Sequence, residues 1–387
     1  MPRLGALRRR QARQGAAQNR PMSDSPNPDH KRRVRYRGTH PRQFEQKYKE
    51  LQPERHADEI DKVLQRGQTP AGMHRSICVD EILAILKPEP GQIALDATLG
   101  FGGHSLALLP GLMPGGRLIG LDVDPIELPR TRGRLEALGF GAPTLTIHHS
   151  NFSALADFLP MGGGAFDIVL ADLGVSSMQI DNPARGFSFK VDGPLDLRMN
   201  PELGVSASEL LLSVTRPRLR QLLTDNADEP HAEALAAALQ GQYLQTTRQL
   251  AERVRAALAR LLKRSLPDDE REAEIKKTLQ RTFQSLRIEV NDEFGALDAL
   301  LRQLPACLNP GGRVAILSFH SGEDRRVKKA FQSGERDGSY AQVAPDPIRA
   351  SFEERRANPR ASSAKLRWAV RAHQGQRPDI AAKPLLN

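Results

Sequence analysis

Cysteine is nearly missing: Cys78 and Cys307 are the only two in 387 residues. They stand far apart without metal-ligand spacing, so no metal site and no disulfide framework is expected, and two free thiols fit a reducing compartment. Aromatic residues make up 5%, with one tryptophan, which leaves few rings for stacking. No run approaches the roughly 18 apolar residues that span a bilayer, and no secretory apolar segment is present. A soluble chain that is neither membrane-spanning nor exported is expected. Internal repeats are lacking too. So, past residue 50, is any excess of one charge: that part holds 42 Lys/Arg and 42 Asp/Glu.

What is present is an ordinary globular balance, 39% hydrophobic and 26% charged. The length suits one large domain with an insertion, or two domains. The net charge of +10 lies wholly in residues 1–50, with 14 Lys/Arg against 4 Asp/Glu. Such an arm favours polyanions through counterion release and steering. Three readings of it stay open: an organellar transit peptide, a misassigned start, or an RNA-contacting tail. Residues 1–42, rich in Pro, Gly and Arg, read as a disordered basic arm, and 376–387 as a flexible tail.

Helical spacing occupies 43–66 and Val79–Leu86. Short apolar runs then alternate with helical stretches: Ile93–Asp96, Leu118–Asp122, Leu145–His148 and Phe166–Asp172. This alternation predicts a mostly parallel sheet covered on both faces. It stops after about 180, where loop and helix take over: Ala232–Leu239, Leu250–Leu262, and a charged break at Pro267–Glu274. One helix is expected over Thr282–Leu301, with Phe283, Leu286, Val290, Phe294 and Leu297 on a buried face. Strands resume at Arg313–Phe319 and Ala364–Val370. The expectation is an α/β core over 43–180 and 282–375 with a mainly helical insert at 181–281.

The sharpest local feature is Leu95-Asp96-Ala97-Thr98-Leu99-Gly100-Phe101-Gly102-Gly103-His104. A buried strand ends in an acid and runs into glycines that open a helix, as in the first nucleotide-binding loop of a Rossmann-like fold. The spacing departs from G-x-G-x-x-G, and an acid beside the loop suits a cationic ligand better than a diphosphate. S-adenosyl-L-methionine is therefore favoured over a nicotinamide dinucleotide. Asp122 ends the second strand, where an acid accepts from ribose hydroxyls, and Asp172 ends the fourth, beside the switch point. Helix capping explains each Asp singly as well, and His104 alone would read as a helix-start residue.

Several further motifs occur in one order: Asp122-Val123-Asp124-Pro125, Asn151-Phe152-Ser153, Asp172–Gln179, Arg185–Phe189, Asp192–Met199, Arg281–Ile288, Ser318–Arg325 and Asn358–Arg367. Together with the glycine loop they make the chain resemble the bacterial 16S rRNA cytosine-N4 methyltransferases, the RsmH or MraW family, from about Tyr36 to Ala372. The resemblance implies a Rossmann-like class I methyltransferase core with an inserted helical substrate-recognition domain, acting in the cytoplasm on small-subunit rRNA or the 30S subunit. It implies S-adenosyl-L-methionine contacts at Gly102, Gly103, His104, Asp122, Phe152, Asp172 and Gln179, and cytosine 1402 as target. The oligomeric state stays open, a homodimer included. Departures are Leu99 and Phe101 around Gly100, the insert sequence Asn226–His231, and the longer N-terminal part.

Methyl transfer to an exocyclic amine needs an acceptor for the released proton. Asp172 is the first candidate and Asp196 the second. Phe187, Phe189 and Phe319 read either as base-stacking rings or as core. His320, Glu323 and Arg325 read as substrate-facing or as a solvated helix start, and Arg360, Lys365 and Arg367 as phosphate contacts or outer strand positions. The alternatives are a paralogue acting on another rRNA cytosine, a non-catalytic RNA-binding ribosome assembly factor, a DNA amino-methyltransferase and a nicotinamide oxidoreductase.

Overall fold

Short apolar runs that end in aspartate become the middle of a seven-stranded sheet. The computed structural model describes residues 76–373 apart from Arg264; the arm at 1–42, the helix expected at 43–66 and the tail at 376–387 lie outside them. The strands are β1 (Ile93–Asp96), β2 (Arg117–Asp122), β3 (Leu145–His149), β4 (Phe166–Asp172), β5 (Leu308–Ser318), β6 (Tyr340–Val343) and β7 (Lys365–Arg371). Their order is β3-β2-β1-β4-β5-β7-β6. The first five are mutually parallel, whereas β7 runs antiparallel to both β5 and β6. Asp96, Asp122 and Asp172 thus end three adjacent strands at one edge.

Period-two alternation divides each central strand between two cores. Ala94, Ile168, Leu170, Ala315 and Leu317 face helices α1 (Val79–Leu86), α2 (Gly103–Leu112) and α3 (Leu128–Ala137). Leu95, Val169, Ala171, Val314 and Ile316 face α10 (Glu293–Cys307) and α11 (Ser321–Arg336). Burial on both faces is what the continuous apolar runs require.

Between β4 and β5 the chain is helical: α4 (Ser177–Asp181), α5 (Ala207–Ser213), α6 (Arg216–Ala227), α7 (Ala232–Leu239), α8 (Thr247–Leu262) and α9 (Asp268–Val290), followed by α10. Leu219, Leu223, Leu235, Leu250, Leu258, Leu279 and Leu286 join a third core there. α12 (Phe352–Ala357) precedes β7. No described helix is long and apolar enough to cross a membrane.

Several local expectations change. The single helix over Thr282–Leu301 is two, because Asp292 turns the chain at φ 46° between α9 and α10. The boundary expected at 281/282 falls inside α9, whose Phe283 and Leu286 pack in the third core. The charged break at Pro267–Glu274 is the start of that helix. Asp268, Asp269 and Glu270 occupy its first turn, where the helix dipole favours acids. β5 begins at Leu308, and β6 was not foreseen.

Candidate active site

The glycine loop is built from the strand ends inward. The Ala97 N–H bonds the Leu170 carbonyl at 2.8 Å and the Leu99 N–H the Leu121 carbonyl at 2.7 Å, tying the loop to β4 and β2. Gly102 caps α2 at φ 75°, with the Leu135 methyl 3.0 Å from where a Cβ would stand. Only glycine meets both demands without strain. The departures beside Gly100 are packing residues. Leu99 is buried under Gly120, and the Arg134 guanidinium covers the Phe101 ring at 3.5 Å.

The three aspartates divide their work. Asp96 is 1% exposed and accepts from the Thr98 N–H at 3.1 Å and the Ser105 hydroxyl at 2.6 Å. It holds the loop and does not offer its carboxylate to a ligand directly; its buried charge instead raises its neighbours Asp122 and Asp172. Asp122 accepts from the Gly100 N–H at 2.6 Å and the Asp124 N–H at 2.8 Å. Burial pushes it up to about 6, against those two bonds.

At Asp172 the inner oxygen, Oδ1, is buried and accepts no hydrogen bond from the described residues. Oδ2 lies 3.6 Å from His104 Nδ1. His104 Nε2 stands 3.0 Å from the Ile77 carbonyl. A carbonyl only accepts, so Nε2 carries a proton, and Nδ1 is left facing the carboxylate. Burial pushes Asp172 up to about 6, with the His104 charge opposing and Asp96 and Glu323 adding to the rise. The main-chain N–H of Asp172 is fixed by the Thr98 hydroxyl at 2.6 Å.

Phe152 opens a short 3-10 turn after β3, with Asn151 accepting from the Ser153 N–H at 2.8 Å. Two residues before it, the Ser150 N–H bonds the Asp122 carbonyl at 2.9 Å, which ties the start of this turn to the end of β2. Gln179 is 9% exposed, and its amide is already engaged: Oε1 accepts from the Ser176 N–H at 2.8 Å and Nε2 donates to Asp124 at 2.7 Å. Gly102, Gly103, His104, Asp122, Phe152 and Asp172 therefore gather at the ends of β3, β2, β1 and β4. Gln179 is joined to them through Asp124.

Asp196 does not meet the requirement for a proton acceptor. Arg198 grips it from Nε at 2.8 Å and Nη2 at 2.7 Å. Burial raises its pKa, but the Arg198 bonds outweigh burial and hold it below the ordinary value. Phe187 and Phe189 are packed in the third core, Phe189 at 5.5 Å from the Phe283 ring, and Phe319 packs against the first. Lys365 and Arg367 both bind Asp324, at 2.9 and 2.6 Å, and Arg360 binds Asp181 at 2.8 Å. These three basic residues are structural clamps rather than a phosphate-facing row. Arg325 pairs with Asp228 at 3.3 Å.

Glu323 is buried and accepts from the Phe319 N–H at 2.9 Å, with His320 Nε2 3.2 Å away. Burial pushes it up, yet His320, that N–H and Arg287 hold it below the usual carboxylate range. Sequence reasoning missed Asp124 and Arg185. Arg185 is 5% exposed and pairs with Asp124 at 2.7 Å. The Asp-x-Asp spacing at 122–124 was a signal for the first, and the Arg185–Phe189 motif for the second, although neither residue was assigned a role.

The donor set fits S-adenosyl-L-methionine. The site is rich in acceptors, with one buried carboxylate oxygen open, which suits a cationic ligand. The Gly100 and Gly102 amides are already bonded to Asp122 and Leu99, so they are not available to cradle a pyrophosphate.

Comparison with known proteins agrees. The model of the MraW methylase family matches residues 71–372. Ribosomal RNA small subunit methyltransferase H 2 of Alkaliphilus metalliredigens is 56% identical over 88% of this chain and 97% of its own length. Ribosomal RNA small subunit methyltransferase H 1 of Lachnoclostridium phytofermentans is 53% identical over 90% of this chain and 95% of its own. Similarity to solved structures is weaker; a putative rRNA methylase from Clostridium thermocellum superposes with a TM-score of 0.37 at 11% identity over 77% of this chain and 94% of that one. The chain belongs to the MraW methylase family and is an S-adenosyl-L-methionine-dependent methyltransferase.

Proposed function

We propose that this protein transfers a methyl group to the exocyclic N4 of cytosine 1402 in 16S rRNA, within the small ribosomal subunit and in the cytoplasm. The relatives' names support small-subunit rRNA as substrate. The single observation that carries the chemistry is the open, buried Oδ1 of Asp172 at the end of β4, beside the glycine loop.

S-adenosyl-L-methionine supplies the electrophilic methyl carbon. In our reading Gly102 and Gly103 let the main chain approach the cofactor closely, Asp122 accepts from its ribose hydroxyls, and Phe152 lies against its base. Gln179 acts at one remove, by holding Asp124. The helical segment 181–281 presents the RNA.

The cytosine amino group is a poor nucleophile because its lone pair is delocalised into the ring. Holding nitrogen, methyl and sulfur in line can lower the barrier by about 7–11 kcal/mol. Asp172 then accepts a hydrogen bond from the amino group and takes the proton the nitrogen releases. A carboxyl raised to about 6 is still ionised at pH 7 and is a better base than an exposed aspartate. His104, donating from Nε2 to the Ile77 carbonyl, is fixed with its Nδ1 3.6 Å from Asp172 Oδ2. The target base leaves its stack to reach this edge, at a cost of a few kcal/mol.

The test is to incubate the protein with small subunits that lack the modification and with deuteromethyl-labelled S-adenosyl-L-methionine, then digest the RNA and weigh its nucleosides. Labelled N4-methylcytidine is expected. Label in another nucleoside, or none, contradicts the proposal.

A further inference from the structure

A buried ion pair joins the inserted segment to the turn after β2, beside the glycine loop. Asn182 caps a 3-10 turn, Pro183–Arg185, and Gly186 reverses the chain at φ 72°. A Cβ at Gly186 would collide with the Pro194 carbonyl, so this tight turn aims Arg185 inward. Its Nη1 donates to Asp124 Oδ2 at 2.7 Å, and its Nη2 donates to the Met199 carbonyl at 2.6 Å and the Arg198 carbonyl at 3.2 Å. Both Arg185 and Asp124 are at least 95% buried.

Each end of this bridge continues. On the cofactor side, the Asp124 N–H binds the Asp122 carboxylate, which in turn binds Gly100 in the glycine loop. Asp124 also fixes the start of α3 through the Ile126 and Glu127 amides at 2.9 and 3.3 Å. On the insert side, the 197–199 turn, strained at Leu197 with φ 65°, is held by Asn291. Its Oδ1 accepts from the Met199 N–H at 2.7 Å, and its Nδ2 donates to the Leu197 carbonyl at 2.8 Å. Asn291 follows directly on α9, the longest helix of the insert.

We infer that Arg185 is a positioning residue that couples occupancy of the S-adenosyl-L-methionine site to the order of the 195–203 turn of the insert. The inference rests on the cofactor reading above. The guanidinium is suited to this because its planar fork serves the carboxylate and the two carbonyls at once. A lysine can reach the carboxylate but cannot also satisfy both carbonyls from one nitrogen in that geometry. A purely structural Arg185 would give variants that lose stability and every activity together.

The experiment measures S-adenosylhomocysteine affinity by titration calorimetry and amide exchange of residues 195–203 with and without saturating S-adenosylhomocysteine. In the wild type the ligand is expected to slow exchange in that turn. Arg185→Lys should keep the affinity within about threefold but lose the slowing, whereas Arg185→Gln should weaken binding about tenfold or more. Asn291→Ala leaves Arg185 and Asp124 in place and should reproduce the lysine pattern, which keeps the test open if the arginine variants fold poorly. Unchanged affinity in a folded Arg185→Gln, or slowing that persists in both Arg185→Lys and Asn291→Ala, overturns the coupling. A wild type that binds the ligand without slowing exchange also overturns the coupling alone; one that does not bind it overturns the cofactor reading as well.

Discussion

Replacing Asp172 by asparagine should make the cofactor-free protein more stable at neutral pH while weakening its function. The carboxyl is raised from 3.8 to about 6, chiefly by burial. Each tenfold change in proton affinity is worth about 1.36 kcal/mol, so ionised Asp172 costs the fold at most ~3 kcal/mol at pH 7. Its side chain is 30% exposed, and solvent screening reduces the figure to ~1–2 kcal/mol. Asparagine fills the same space without the charge. The expected gain is a Tm higher by roughly 2–3 °C. The sign follows from linkage: between pH 3.8 and about 6 the folded carboxyl holds its proton more tightly than the unfolded one. The wild type therefore loses stability as pH rises through that window, and the loss levels off above it. Thermal melts of both proteins at pH 5 and 7.5, without cofactor, test this. The advantage of Asp172→Asn should be larger at pH 7.5, accompanied by weaker cofactor binding and lost turnover. An asparagine variant that is less stable at pH 7.5, or more stable by the same amount at both pH values, refutes the reasoning.

Three other outcomes follow from the geometry. Ser105→Ala removes the 2.6 Å bond to Asp96, leaving a buried oxygen unpaired, and should cost about 1–3 kcal/mol in chemical denaturation. Gly102→Ala places a Cβ at φ 75° against Leu135. It should cost about 1–2 kcal/mol and shift the start of α2, so that calorimetry reads weaker S-adenosyl-L-methionine binding. Asp324→Asn leaves Lys365 and the buried Arg367 without their carboxylate and should cost roughly 3–5 kcal/mol. Burial raises the Asp324 pKa, but these two partners outweigh it and hold it below 3.8. Its contribution is thus complete above pH 3.8 and lost as the pH falls through the lower, folded value, so the difference between the two proteins should shrink in acid.

The sheet was legible where burial on both faces forces an unbroken apolar run. β1 and β4 were read to the residue because each such run stops at an aspartate. β6 was not, since Tyr340–Val343 is four residues of mixed polarity at an edge. The start of β5 reads Asn309-Pro310-Gly311-Gly312, which is turn chemistry in any local reading, yet it extends alongside β4 through a register shift. The break between α9 and α10 has neither Gly nor Pro to announce it.

The site divides along the same line. Gly102, Asp122 and Asp172 stand at strand ends and loop starts, where residue type alone carries information. The basic residues misled because a charged side chain reads as surface. Arg367 is instead buried and satisfied by the Asp324 carboxylate, and Arg185, which had no reading of its own, is buried against Asp124. Such pairings depend on tertiary approach, and no local spacing encodes them.

The most direct measurement is to map N4-methylcytidine at position 1402 of the small-subunit rRNA in cells with and without the gene, then in the deleted strain carrying wild-type or Asp172→Asn protein. The account predicts methylation that disappears with the gene, returns with the wild type and does not return with the variant. Methylation at 1402 that persists after deletion, or full restoration by Asp172→Asn, would contradict it.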